Sequence, residues 1–167
     1  MKIKLAGLVA DSIVDGPGFR FTIFTQGCPH HCEGCHNPQT HDFTGGRYAD
    51  CDKIIEKIRK NKLTSGVTFS GGEPFCQPEP CAYTAKKLKE LNYHLMAFTG
   101  YKFETLIEMS KKDKFIMDFL CCLDILIDGK FDLSLRSLEL KYKGSSNQRT
   151  IDVQESLKQG SAVEIEI

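Results

Sequence analysis

The amino-acid sequence predicts an α/β fold: an incomplete, partial TIM-type barrel with a mostly parallel sheet and helices on its outer face. Strand-like and helix-like segments alternate from Phe19 to Ile127, an order typical of parallel strands joined by helical crossovers. The chain has 167 residues, whereas a closed eight-stranded barrel takes about 250. The length therefore predicts a single domain over residues 1–167 whose barrel stays open.

The first half of the chain contains two predicted strands and one predicted helix. Residues 19–25 (FRFTIFT) alternate β-branched and aromatic side chains, which is a strand signature. A helix is expected to follow a cap at Asp50 or Asp52 and to run to about Lys62, because its isoleucines share one face. Residues 67–69 form a short predicted strand that leads into a glycine pair.

The second half continues the alternation. Pro78 or Pro80 is expected to open a helix that ends near Leu91, since proline is favoured in the first helical turn. The remaining predicted elements are a strand at 93–98, a helix at 103–110 and a strand at 123–127. From about Arg136 the pattern is weak, and residues 163–167 are expected to form a strand or a frayed tail.

Charge and hydropathy exclude several classes of function. Lysine plus arginine equals aspartate plus glutamate, 22 against 22, so the chain lacks the positive excess of proteins that cover nucleic-acid phosphates or anionic membranes. No apolar run approaches the roughly 20 residues that span a bilayer, and no signal-peptide pattern is present. We therefore expect a cytoplasmic protein whose eight cysteines are thiols or metal ligands rather than disulfides.

Three of these cysteines fall in one eight-residue window, CPHHCEGC, at Cys28, Cys32 and Cys35. Closely spaced thiolates in a short loop can surround one metal centre. A [4Fe–4S] cluster normally takes four cysteines, so three would leave one iron open to a ligand that is not protein. The spacing also leaves open a zinc ion with a histidine as fourth ligand, or simple thiols.

The cysteine triplet and a second motif together resemble the radical S-adenosylmethionine (SAM) superfamily. The second motif is Gly71-Gly72-Glu73-Pro74, which follows a predicted strand. Further segments are similar to the activating proteins of anaerobic ribonucleoside-triphosphate reductase: DGPGFR at 15–20, TGY at 99–101, DGKF at 128–131 and GSSNQ at 144–148. The similarity ends at about Arg149 and leaves residues 150–167 as a C-terminal extension.

This resemblance implies a [4Fe–4S] cluster on Cys28, Cys32 and Cys35, with the amino and carboxylate groups of SAM on the fourth iron. The implied SAM-binding residues are Gly34, Cys35, His36, Gly71, Gly72 and Glu73. The glycine pair lacks Cβ atoms and would let the backbone approach SAM closely, and the glutamate would add a carboxylate for its ammonium group. No catalytic side chain is assigned, because cluster and SAM carry the radical chemistry.

The implied activity is that of a radical SAM activase. Reductive cleavage of SAM would give a 5′-deoxyadenosyl radical, which takes a hydrogen atom from a glycine of anaerobic ribonucleoside-triphosphate reductase. A reduced flavodoxin is the implied electron donor. The alternatives are an activase of another glycyl-radical enzyme, of the pyruvate formate-lyase type, and a non-catalytic zinc-binding adaptor.

The remaining polar residues are expected to have mainly structural roles. His30 and His31 are assigned to the loop surface, and Asp128 is expected to orient the SAM ribose or to cap a helix. The DGPG and GSSNQ segments are expected to form turns or a rim where the partner docks. Small apolar packing is expected of the other five cysteines, which are Cys51, Cys76, Cys81, Cys121 and Cys122.

Overall fold

A computed structural model describes all 167 residues and contains one seven-stranded sheet. Its strands are β1 (Lys2–Ser12), β2 (Arg20–Thr25), β3 (Arg47–Asp50), β4 (Gly66–Gly71), β5 (His94–Phe98), β6 (Ile125–Asp128) and β7 (Arg149–Asp152). The strand order is β3-β1-β2-β4-β5-β6-β7. The pairings β2–β4, β4–β5 and β5–β6 are parallel, and the outer pairings are antiparallel. The two edge strands do not meet, which confirms the predicted open α/β barrel with a parallel centre.

Five helices cover one face of this sheet. They are α1 (Cys51–Lys60), α2 (Pro78–Glu90), α3 (Phe103–Ser110), α4 (Lys114–Cys122) and α5 (Val153–Gln159). The main hydrophobic core lies between them and the sheet. At its centre the rings of Phe69 on β4 and Phe119 on α4 meet edge to face, with centroids 5.0 Å apart. The predicted placement of the helices on the outer face is confirmed.

Sequence signals at or near their ends predicted most of the helices and strands between β2 and β6. Asp50 is the N-cap of α1, where its carboxylate accepts hydrogen bonds from the backbone N–H groups of Asp52 and Lys53. Pro78 is the first residue of α2, and α3 has the predicted bounds. The elements that were not predicted are β1, β3, α4, β7 and α5.

Residues 150–167 complete the edge of the sheet. They contain the end of β7 and all of α5, followed by a single bridge between Glu164 and Ile151 in place of a regular strand. Ile165 and Ile167 pack against a small second core on the open face of the sheet, formed by Met96, Ile125 and Ile127. No helix of the structure has the length and apolar character needed to span a membrane.

A buried arginine ties together the amino-terminal ends of the parallel strands. The Arg20 side chain donates to Thr68 Oγ1 at 2.6 Å and to the carbonyl oxygens of Val67, His94 and Pro17 at 2.8, 3.2 and 3.3 Å. Only 1% of the residue is exposed, and burial lowers its pKa to about 10. These contacts hold the DGPG loop against the sheet, opposite the ends where the cysteine loop emerges.

Replacing Arg20 with methionine is expected to lower the free energy of unfolding by about 2–3 kcal/mol, because buried carbonyl groups lose their donors. Urea denaturation monitored by circular dichroism would measure this change. The matched control is Arg59→Met on the exposed side of α1, which should stay within about 0.5 kcal/mol of the parent. Equal losses in the two variants would contradict the assignment.

Candidate functional site

The loops that follow β2, β4, β5 and β6 meet at the carboxyl ends of the parallel strands, where α/β folds place their sites. They surround a cleft of about 790 Å³. Six of the residues singled out in the sequence line it, namely Cys28, Cys32, Cys35, His36, Gly71 and Gly72. The two remaining ones do not line it, since Gly34 is exposed elsewhere on the surface and Glu73 is buried.

The three cysteines of the loop are free thiols on the same cleft. Cys28 is 8% exposed, and burial raises the pKa of its thiol, while Cys32 and Cys35 are half-buried. The backbone N–H of Asn37 donates to Cys35 Sγ at 3.4 Å. No three His, Cys, Asp or Glu side chains are grouped as a single metal ion requires. Three thiols, each free to bind a different iron, fit the donor set of a cluster with one open iron.

The glycine pair after β4 is needed for contact with the protein's own backbone. Gly71 has a φ of +93°, and a Cβ atom there would lie 2.6 Å from Thr25 N. A Cβ atom on Gly72 would lie 2.4 Å from Gly27 O. The missing side chains therefore make room for the end of β2 and the loop that follows it, and their role in the approach of SAM stays a prediction. The carbonyl group of Gly72 accepts no hydrogen bond within the protein and is free to accept one from a ligand.

Glu73 does not present its carboxylate to the cleft. The residue is 0% exposed. Its carboxylate accepts hydrogen bonds from the backbone N–H groups of Phe75 and Gly100, at 3.0 and 2.9 Å, and from the Thr99 hydroxyl at 2.9 and 3.0 Å. The expectation that this carboxylate binds the SAM ammonium is not supported by its position, because protein donors already surround it.

The assignment of His30 to the loop surface was wrong. Its side chain is only 6% exposed, and its Nε2 lies 2.7 Å from Glu73 Oε2. The ring also meets Tyr101 edge to face, with centroids 4.5 Å apart. The neighbouring His31 is exposed, as expected. The local sequence gave no sign of this difference, because the partner of His30 lies 43 residues away.

An aromatic residue that the sequence did not single out as part of the site lies beside His36, one of the implied SAM-binding residues. The rings of His36 and Phe131 lie 5.2 Å apart in a tilted arrangement, and both residues line the cleft. Gly34, with a φ of +72°, packs against Leu133 and Phe131. The DGKF motif was the available signal for Phe131, since it follows a parallel strand as the other site loops do.

Asp128 has a structural role, which agrees with the capping alternative. Its carboxylate accepts from the backbone N–H of Phe103 at the start of α3, at 2.7 Å, and from Arg149 Nε at 3.0 Å. The carboxylates of Asp128 and Glu104 raise the pKa of Arg149 above its ordinary value. This ion pair joins the ends of β6 and β7 beside the cleft.

Apolar packing is as expected for three of the other five cysteines, which are Cys51, Cys81 and Cys122. Cys51 and Cys81 are fully buried in the main core. Cys76 is half-buried, and burial raises the pKa of its thiol to about 11. Cys121 is exposed and Cys122 is half-buried at the end of α4, so the expectation of apolar packing was wrong for Cys121.

Each turn-rich segment contributes residues to the lining of the cleft, which are Asp15 from DGPG and Gly144 and Gln148 from GSSNQ, and each segment is ordered by side-chain hydrogen bonds. Asp15 Oδ2 accepts hydrogen bonds from the hydroxyl groups of Ser12 and Thr22 at 2.5 and 2.9 Å. Gln148 Oε1 accepts from the backbone N–H groups of Gly144 and Ser145 at 2.9 and 3.2 Å. These bonds support the expected turns at both positions.

Comparison with known proteins identifies the family. A family model described as a 4Fe-4S single cluster domain matches residues 14–151. The anaerobic ribonucleoside-triphosphate reductase-activating protein of Escherichia coli K12 is 32% identical over 145 residues, which cover 81% of this chain and 90% of that protein. The chain belongs to this family of reductase-activating proteins.

Two further proteins match over smaller parts of this chain. The pyruvate formate-lyase-activating enzyme of Clostridium pasteurianum is 35% identical over 120 residues, which cover 68% of this chain and 50% of that enzyme. Among solved structures, QueE from Escherichia coli aligns with 60% of this chain and 53% of its own, at 17% identity and a TM-score of 0.47. The cysteine loop, the glycine pair and Phe131 of this reductase-activating family member all lie inside the matched region 14–151.

Proposed function

We propose that the protein is a radical SAM activase that generates the glycyl radical of anaerobic ribonucleoside-triphosphate reductase. One observation carries the proposal: three free cysteines and the glycine pair of the GGEP motif line a single cleft in a chain that is similar to reductase-activating proteins over most of its length. A fold alone would not support an activity, but here the site and the family agree.

The residues that would hold the cofactors follow from the cleft. Cys28, Cys32 and Cys35 would bind three irons of a [4Fe–4S] cluster, and the free carbonyl of Gly72 would accept a hydrogen bond from the SAM ammonium. We place adenine near His36, beside Phe131. When bound, cluster and SAM supply a one-electron reductive cleavage that yields methionine and a 5′-deoxyadenosyl radical.

The protein itself would position the cluster and SAM and would keep water away from them. Burial of Cys28 in the lining of the cleft would limit access of water to that side of the cluster. The cleft has no closing strands on its outer side, because β3 and β7 remain apart. A backbone segment of a second protein can therefore enter it, and a glycine there offers a Cα hydrogen with no side chain in the way.

The rim of the cleft carries apolar side chains suited to a protein partner. Val14, in the turn after β1, is 73% exposed, and Leu138, in the loop between β6 and β7, is 90% exposed. Both line the cleft, and Ile13, next to Val14 in the chain, is 67% exposed. Exposed apolar residues around one cleft are typical of protein contacts. We assign the docking of the reductase to this rim.

Changing Leu138 to aspartate should therefore weaken activation of the reductase while SAM cleavage without the partner continues at the parent rate. The partner concentration that gives half-maximal radical formation is expected to rise about tenfold, the equivalent of about 1.4 kcal/mol. Leu63→Asp, at a residue that is 64% exposed and does not line the cleft, is the matched control. Equal effects at the two positions would contradict the docking assignment.

Anaerobic reconstitution tests the proposed cofactor chemistry. The protein should take up about four irons per chain and cleave SAM to methionine and 5′-deoxyadenosine only when a reductant is present. The zinc-adaptor alternative predicts instead one zinc per chain and no reaction with SAM.

Two finer points remain proposals. We propose reduced flavodoxin as the electron donor, on the family resemblance, and a cytoplasmic location, because all eight cysteines are free thiols. A pyruvate formate-lyase-type partner is the second candidate, favoured by the 35% identity to that activating enzyme. The reductase is preferred because its activating protein matches over 90% of its length.

A further inference from the structure

The buried carboxylate of Glu73 joins three of the loops that form the cleft. We call the group of His30, Glu73, Thr99 and Gly100 the clasp. His30 belongs to the cysteine loop after β2, Glu73 to the loop after β4, and Thr99 and Gly100 to the loop after β5. The hydrogen bonds within the clasp have lengths between 2.7 and 3.0 Å.

The hydrogen-bonding capacity of Glu73 is fully used. A carboxylate offers about four lone-pair positions, and four donors approach this one: Phe75 N, the Thr99 hydroxyl, Gly100 N and His30 Nε2. With 0% of the residue exposed, no position remains for the ammonium group of a ligand. Glu73 is therefore suited to hold protein groups in place rather than to touch SAM.

His30 is held from three sides. Its ring packs over Gly100, where a Cβ atom would lie 2.3 Å from His30 Cδ2, and its edge meets Tyr101. Its Nε2 donates to Glu73 at 2.7 Å. Because His30 stands between Cys28 and Cys32 in the chain, this contact fixes the cysteine loop against the loop that carries Gly72.

We propose that the clasp positions SAM indirectly, with His30 and Glu73 as one coupled pair of positioning residues that set the distance between the cysteine loop and the Gly72 carbonyl. This inference rests on the proposed function, since it needs cluster and SAM in the cleft. It differs from the role first expected for Glu73, because a direct ligand of SAM would not need His30. The two roles therefore predict different effects for variants of His30.

The test is a double-mutant cycle on the reconstituted holoprotein, measured as the Kd of SAM. The SAM-dependent change in the electron paramagnetic resonance (EPR) spectrum of the reduced cluster gives this Kd without any turnover. The variants are His30→Asn, which is too short to reach the carboxylate, Glu73→Gln, and the two combined. His30→Gln returns a side-chain N–H donor. The controls are His31→Asn and Glu79→Gln, at exposed residues.

We expect His30→Asn and Glu73→Gln each to keep about four irons and to raise the Kd of SAM about tenfold. The Kd of SAM for the double variant should exceed that of the weaker-binding single variant by no more than about twofold, because the effects of coupled residues are not additive. His30→Gln should lie within about threefold of the parent. Both control variants should bind SAM as the parent does.

Three results would overturn the inference. The first is weaker SAM binding in Glu73→Gln with an unchanged Kd in His30→Asn, which would make Glu73 a direct ligand. The second is an additive loss of about 100-fold in the double variant, because the two residues would then act independently. The third is loss of the cluster in both His30 variants, which would assign the clasp to cluster assembly. A parent protein that binds neither iron nor SAM would instead refute the proposed function.

Discussion

Changing Cys28, Cys32 or Cys35 to alanine is expected to abolish SAM cleavage. Each thiolate would bind a different iron, so the loss of one leaves the cluster with two protein ligands and no stable attachment. The effect should be complete rather than partial, because no other cysteine of the chain lines the cleft. Iron content and 5′-deoxyadenosine formation after anaerobic reconstitution would measure it.

Cys121→Ala is the matched control for these variants. This cysteine is also a free thiol, but it lies exposed at the end of α4, and its replacement should leave iron content and SAM cleavage at parent levels. Loss of the cluster in the control, or its retention in any of the three loop variants, would show that the ligands are misassigned.

The second large effect is expected from Gly72→Ala. The new Cβ atom would lie 2.4 Å from the carbonyl oxygen of Gly27, and a backbone atom cannot rotate away as a side chain can. The loop must shift and lose the hydrogen bonds that Gly72 N and Glu73 N donate to Thr25 O and Gly27 O, both at 2.8 Å. We expect the affinity for SAM to fall about 100-fold, the equivalent of about 2.8 kcal/mol.

Equilibrium binding of SAM to the reconstituted protein would measure this loss, and Gly7→Ala is its control. Gly7 lies in β1, and a Cβ atom there would have nothing within 4 Å. The control should bind SAM as the parent does. Unchanged binding in Gly72→Ala would mean that the loop after β4 does not hold the ligand.

The ends of several helices were predictable because the residues that set them lie next to them in the sequence. The cap at Asp50, the proline at the start of α2 and the bounds of α3 are set by residues within one turn of each helix end. β1 was missed because register shifts interrupt the alternation along it. α4 was missed although Ile116, Phe119 and Leu120 form its buried stripe, because it follows α3 directly and so departs from the expected alternation of one strand with one helix.

Residues that line the candidate site were predictable from their motifs, whereas the buried contacts behind them were not. The sequence placed the three cysteines and the glycine pair in loops that follow parallel strands, and such loops meet at one edge of a sheet. In the structure both groups line one cleft. The buried contact between His30 and Glu73 could not be read from the sequence, because it joins residues 43 positions apart. The same holds for Arg20 and His94, whose contact depends on the neighbouring strands being already paired.

The most direct test of the central claim is the EPR spectrum of anaerobic ribonucleoside-triphosphate reductase after incubation with the reconstituted protein, SAM and a reductant. The account predicts a glycyl-radical doublet on the reductase that requires all three components and is absent with Cys32→Ala. If a protein that holds its cluster and cleaves SAM produced no radical on the reductase, but did so on pyruvate formate-lyase, the result would contradict the proposed partner.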